Sequence, residues 1–232
     1  TYPYGKECGR VLDEMTALAA GYGFHVKNHE YHCGSLLVKG TGDSPRRIGI
    51  YAHLDVVPLG EGWHNPPLKC TQKDGFLIGR GVGDNKGPGI CALYALRYLK
   101  EHGIELKNDV LVYYGLSEET GMQDIEYFCR TQQVPDFNLV ADTNFPVCYG
   151  EKGLMRADIE RKIEGNLVSF HGGSVVNVIP PKAEAVISGV SLEAAREKLG
   201  DIEGISVDRD GESVKVTALG ISRHAAFPEG SV

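Results

Sequence analysis

The sequence predicts an α/β fold with a largely parallel sheet, and three observations carry that prediction. DVLVYYG at 109–115 is a continuous apolar run, the mark of a strand buried on both faces. RIGIYAHLDVV at 47–57 has a strand core followed by polar residues, and FNLVAD at 137–142 is a further short strand. Helical patterns alternate with these runs, as they must when crossovers link parallel strands.

In chain order, an amphipathic helix is expected from Lys6 to Ala20, stopped at Gly21. CTQKDGFLIGRG at 70–81 reads as a hairpin, two extended runs joined through Lys73-Asp74-Gly75. From Gly89 to Lys100, Ile90, Leu93, Leu96 and Leu99 recur every three residues among alanines, with Gly103 as a stop, which predicts a packed helix. MQDIEYFCR at 122–130 is a second, shorter one. After about residue 152 the texture changes. Short alternating runs, AEAVISGV and SVKVTALG, flank one helix, SLEAAREKLG, so a boundary is placed at 152 or 153 between an α/β domain and an α+β module. There is no internal repeat and no low-complexity tract.

Composition excludes several classes of function. The chain has 232 residues, 42% hydrophobic and 24% charged, with a formal net charge of -7. No basic stripe appears, so no nucleic-acid partner is expected. No apolar run approaches the roughly 20 residues that span a bilayer, and no export leader is visible, so no membrane partner is expected either. The six cysteines form no C-x-x-C pair and read as reduced thiols of a cytoplasmic protein. The chain starts at Thr1 without a Met and stops just after HAAFPEGSV, so it is expected to be incomplete at its C-terminus.

The polar residues collect where ligands bind in open α/β sheets, beyond the carboxyl ends of the strands. One predicted strand ends at His53-Leu54-Asp55, another at Ser117-Glu118-Glu119, and a third at Asp142. Asp84 lies in the glycine-rich turn GRGVGDNKGPG before the long helix. Singly, each has an ordinary explanation. His53 could be a hydrogen-bonded strand-end histidine, and Asp84 a helix cap worth about 1 kcal/mol. Glu118 and Glu119 could complement a helix dipole at about 0.3–1 kcal/mol each. Their coincidence at three strand ends is what those explanations miss.

Such convergence needs a cation. Two carboxylates about 4 Å apart repel by about 4 kcal/mol at an effective dielectric near 20, which threatens a marginally stable domain. One or two divalent ions reverse the sign, and imidazole with carboxylates suits zinc, manganese or cobalt. In an extended backbone, residues two apart share a face, so Asp55 can lie beside the His53 ring and fix its tautomer. The glycine-rich turn is no nucleotide loop. Lys86 is followed by Gly87 and Pro88 rather than Ser or Thr, and the glycines at 79, 81, 83 and 87 do not space as G-x-G-x-x-G. A G-x-S-x-G elbow is missing as well.

Together, HLDVVPLGEGW, GRGVGDNKGP, SEETG, ADTNFP and GEKG resemble, in order, the metal-site motifs of the co-catalytic di-metal exopeptidases. That family includes aminoacylase, glutamate-releasing carboxypeptidases, succinyl-diaminopimelate desuccinylase and peptidase V-like dipeptidases. The wording of DVVPLGEGW and ADTNFPVCYGEKG is most similar to the peptidase V-like branch. The resemblance implies a zinc-exopeptidase-like, mostly parallel sheet flanked by helices, carried by a catalytic domain over 1–152. It also implies an inserted α+β lid whose start is carried by 153–232, since GGSVVNVIPPKAEAVI and GISRHAAFPEGSV match the lid's two signatures.

Residue by residue, the resemblance implies that His53 and Asp142 bind one metal, that Glu119 binds the other, and that Asp84 bridges both. Asp55 would orient His53. Glu118 would be the general base, His224 would hydrogen-bond the developing oxyanion, and Asn177 would contact substrate. A cis peptide is implied at Asp84–Asn85. Asn85, often an acid in relatives, removes no ligand. Family members return to the catalytic domain after the lid and supply there a final His ligand, which these 232 residues do not contain. The chain alone is therefore expected to be weak or inactive.

The implied activity is metal-dependent hydrolysis of a dipeptide amide bond by a metal-activated bridging water, with two divalent ions, zinc first and manganese or cobalt as alternatives. An N-acyl amino acid deacylase such as a desuccinylase is the alternative within the family. A catalytically incomplete metal-binding protein is the alternative outside it. The expected partner is a small-molecule substrate, and the expected state is a monomer or a lid-mediated homodimer.

Overall fold

The computed structural model describes residues 2–60, 62–143, 146–151, 153, 155–173, 176 and 178–225. The chain divides into two compact units, Thr1–Lys152 and Gly153–Val232.

The first unit runs α1 (Lys6–Gly21), β1 (Val26–His29), β2 (Cys33–Val38), β3 (Arg47–His53), β4 (Thr71–Lys73), β5 (Phe76–Ile78), α2 (Gly87–Glu101), β6 (Asp109–Gly115), α3 (Gln123–Thr131) and β7 (Phe137–Val140). Five of the strands form one sheet in the order β1-β2-β6-β3-β7. β3 pairs in parallel with β6 and with β7. β1–β2 and β2–β6 are antiparallel. The sheet is therefore mixed, and the parallel half is the one that carries the strand ends singled out in the sequence. The antiparallel half is a hairpin over residues 26–38 that the sequence reading did not include.

β6 is central, and all seven of its residues are buried. Alternation sends Val110, Val112 and Tyr114 to one face, where they meet Leu12, Met15 and Ala19 of α1 and Leu93 and Leu96 of α2. Leu111 and Tyr113 go to the other face, against Cys33 and Phe128 of α3. The helices thus cover both faces, which is why the run 109–115 is apolar throughout. β7 lies at the sheet edge with Phe137, Leu139 and Val140 exposed. β4 and β5 form the expected hairpin, with Asp74 and Gly75 both at positive φ (51° and 82°) as a tight two-residue turn requires.

The start of β6 is locked by a charge cluster. The buried Asp109 carboxylate accepts from Lys39 Nζ at 2.8 Å and from the Gly40 amide at 2.9 Å, with an Arg47 guanidinium nitrogen at 3.7 Å. Lys39 first, then Gly40 and Arg47, hold its carboxyl below the usual carboxylate range. A depressed folded-state pKa contributes stability above the unfolded value of about 3.9 and loses it as pH falls through the folded value. Asp109→Asn should therefore cost on the order of 1–2 kcal/mol at neutral pH, an amount trimmed by the exposure of Lys39. Urea midpoints should show this gap constant down to about pH 4 and shrinking below it. A gap that widened on acidification would contradict the assignment.

The second unit contains β8 (Leu167–Gly172), β9 (Val178–Ile179), β10 (Lys182–Ile187), α4 (Leu192–Leu199), β11 (Ile205–Asp210), β12 (Ser213–Leu219) and β13 (Arg223–His224). Its main sheet is antiparallel in the order β11-β12-β10-β8. The Ser191 hydroxyl caps α4 by accepting from the Ala194 amide at 3.1 Å. The helix buries Ala195 against Val207 and Val214. Asn177 lies outside the described residues, as does the side chain of His224.

Candidate metal centre

Parallel register brings the strand ends together. His53 is aligned with Gly115, and Tyr51 with Val140. Two residues past that second pair, His53 and Asp142 lie side by side. Glu118 and Glu119 follow Gly115 by three and four positions. Asp84 comes from the turn at Val82–Lys86 that feeds α2.

His53 is buried and stands at the centre. Its Nε2 lies 2.8 Å from Asp84 Oδ1, 3.5 Å from Asp142 Oδ2 and 3.9 Å from Glu118 Oε2. Its Nδ1 donates to the Asp55 carbonyl at 3.1 Å and lies 3.4 Å from the Asp55 carboxylate. Burial alone would lower the imidazole's pKa, but Asp55, Asp142 and Glu118 outweigh it and hold His53 up at about 9. Glu118 and Glu119 are also shifted upward, which for an acid disfavours the charged form. Burial first, then Glu119, Asp142 and Asp55, raise Glu118 against the pull of His53. Burial and Asp84 likewise raise Glu119. Asp55 is shifted the other way from the two glutamates. Burial works against it, but His53 and the amides of Glu119 and Glu118 hold its carboxyl down.

Among the described residues, two groups place ligand atoms within 4.8 Å of one another: His53, Asp84 and Asp142, and His53, Glu118 and Glu119. A donor set of one imidazole and carboxylate oxygens, with Nδ1 tied back to Asp55, is what a divalent cation takes. Two glutamates raised by burial and then by neighbouring carboxylates are the electrostatic complement of an added positive charge. Lys86, in the same turn as Asp84, is half-buried and has its own pKa pulled down by that burial.

The glycines of this region serve the backbone. Gly81 has φ 79°, and a Cβ there would meet Lys86 Nζ and Val56 Cγ1 at 2.7 Å. The peptide Asp84–Asn85 is cis.

This arrangement coincides with a sequence match. Residues 49–219 match the model of peptidase family M20/M25/M40. The chain belongs to that family.

Within the M20 group, the chain is 33% identical over 240 residues to the Beta-Ala-Xaa dipeptidase of Lactobacillus delbrueckii subsp. lactis, covering 98% of this chain and 50% of that protein. It is 29% identical over 243 residues to the putative dipeptidase YtjP of Bacillus subtilis, covering 99% of this chain and 52% of that protein. The chain thus spans about half the length of the curated relatives it matches. Its fold is similar to human carnosine dipeptidase 1, with a TM-score of 0.50 at 22% identity over 58% of this chain and 32% of that one.

Two residues that the sequence did not single out as functional hold parts of this cluster in place. Asn85 is fully buried, and its amide nitrogen donates to the Ala141 carbonyl at 2.7 Å and to Asp142 Oδ1 at 2.6 Å. That leaves Oδ2 of Asp142 as the oxygen facing His53. The second is Asp124, beneath the turn that carries both glutamates. Asn85 was visible as a departure from an acid, but Asp124 carried no local signal beyond an acid in the first turn of a helix.

Proposed function

We propose that this chain carries the metal-binding half of a dipeptidase, and that the protein hydrolyses the amide bond of dipeptides. The observation that carries the reading is the convergence of His53, Asp84, Asp142, Glu118 and Glu119 at the ends of three neighbouring strands. The dipeptidase names of the two curated relatives support the choice of substrate class.

The roles follow from the chemistry of the side chains. His53 Nε2 and Asp142 would hold one divalent ion, Glu119 the other, and Asp84 both. Asp55 keeps the His53 ring turned with Nε2 outward. Zinc is the first choice for imidazole and carboxylate donors without thiolate, with manganese or cobalt next. When bound, such ions acidify water and polarise a carbonyl. Glu118 takes a proton from the attacking water as the C–O bond forms, and returns it to the amine nitrogen as the C–N bond breaks. His224 would donate to the oxyanion and Asn177 would contact substrate, within a lid that begins at 153. No helix of the described chain is long and apolar enough to cross a membrane. The six free cysteines agree with a reducing cytoplasm.

The test uses the intact protein, stripped with a chelator and assayed on Xaa-Xaa and β-alanyl dipeptides beside N-acetyl and N-succinyl amino acids. Dipeptide cleavage should vanish on stripping and return with added zinc, manganese or cobalt. Cleavage of N-acyl amino acids alone would make the protein a deacylase. Metal binding with no turnover of any substrate would leave a metal-binding protein on an enzyme scaffold.

A further inference from the structure

Asp124 sits in the first turn of α3, outside the motifs that carry the ligands, and is only 2% exposed. An acid that merely complemented the helix dipole would stay in water, and burying a carboxylate demands partners. Its Oδ2 accepts from the Leu116 amide at 2.6 Å and the Ser117 amide at 3.0 Å, and its Oδ1 from the Ile125 amide at 2.8 Å. Leu116 and Ser117 are the two residues between the end of β6 and Glu118. The next two amides, those of Glu118 and Glu119, donate to the Asp55 carboxylate at 3.2 and 3.1 Å.

Four successive backbone N–H groups are therefore held by two buried carboxylates from two different elements. A chain leaving a sheet loses its ladder partners, and buried amides must find others. Here the substitutes also fix the turn. Gly115 gives an independent sign of this design. A Cβ at that position would lie 2.6 Å from Asp124 Oδ2, so the strand end is bare where the carboxylate approaches.

We propose that Asp124 is a positioning residue for the Glu118–Glu119 pair: its carboxylate sets the first half of the turn, Asp55 sets the second, and together they send two adjacent glutamates to different tasks. The proposal rests on the reading of Glu118 as base and Glu119 as metal ligand. A displacement of about 1 Å in such groups can cost about a hundredfold in rate, so the anchor matters as much as the groups it carries.

The test is Asp124→Asn in the intact protein, which keeps the side chain's size but leaves one neutral, weaker acceptor oxygen and turns an amino group either toward the Leu116 and Ser117 amides together or toward the Ile125 amide. Three readouts are expected to move together. In the metal-free protein, the amides of 116–119 should exchange with solvent at least about tenfold faster while those of β3 and β6 do not change. In zinc titrations, one ion should weaken about 10–100-fold and the other stay within about threefold. The kcat should fall with KM little changed.

Gly115→Ala, which crowds the carboxylate while leaving it in place, should give the same pattern. It decides the matter if Asp124→Asn does not fold. A folded Asp124→Asn with normal exchange at 116–119 and unaltered zinc binding overturns the proposal. So do wild-type Leu116 and Ser117 amides that exchange like those of an open loop. A wild-type protein that binds no divalent metal refutes the metallopeptidase reading instead, and the exchange readout still decides the anchor.

Discussion

Glu118→Gln in the intact protein is expected to bind metal as the wild type does and to lose about 10²–10⁴-fold in kcat. Glutamine has the same length and volume, and it cannot carry a proton from water to a leaving amine. The substitution also leaves the turn alone. Glu118 is held through its backbone amide by Asp55, and its carboxylate approaches His53 Nε2 no closer than 3.9 Å. With ground-state contacts preserved, KM should hardly move. Steady-state kinetics beside elemental metal analysis of the same sample checks both halves. Turnover within tenfold of wild type would remove Glu118 as the base. A drop in metal content would make it a ligand, which the grouping of Glu118 with His53 and Glu119 permits on distance alone.

Much of the chain was legible because its signals are local. β6 reads as buried on both faces from seven consecutive residues, and α1 reads from its spacing of Leu12, Met15 and Ala19. The strand ends at His53, Glu118 and Asp142 needed only the rule that ligands gather beyond the carboxyl edge of such sheets. The β1–β2 hairpin was not legible. Its turn uses Glu30 and Tyr31 at positive φ, 55° and 59°, where a sequence reader looks for Gly or Asn. Tyr31 is held there by its amide's bond to the Asn28 side chain at 2.7 Å.

Asp124 and Asn85 escaped for a related reason. Each acts through backbone or carboxylate partners that sequence places elsewhere: Leu116 and Ser117 for Asp124, Ala141 and Asp142 for Asn85. In the sequence Asp124 is one acid in a helix's first turn, and only the fold distinguishes it from a solvated one. Residues that touch the chemistry declare themselves by type and spacing. Of the residues that aim them, Asp55 was legible because it lies two positions from His53, whereas Asp124 and Asn85 are distinguished only by partners that the fold brings to them.

Glu119→Gln should fail in the opposite way to its neighbour's substitution. Removing an outer-shell partner typically costs about 10–100-fold in metal affinity, so replacing a charged ligand oxygen by a neutral amide oxygen should cost about a hundredfold or more for one ion. The group formed by His53, Asp84 and Asp142 does not include Glu119, so the other ion should be retained within about threefold. The backbone should hold, because the Glu119 amide is anchored on Asp55 at 3.1 Å whatever the side chain's head group. Turnover should fall with occupancy and recover in part as metal concentration is raised, by mass action. Glu118→Gln should show no such recovery, since its deficit is a missing proton carrier. Titration of the stripped protein with zinc, followed by rate measurement across metal concentrations, separates the two. Unchanged affinity for both ions in Glu119→Gln would remove it from the ligand set. It would then leave Glu118 as the carboxylate that completes the second group with His53.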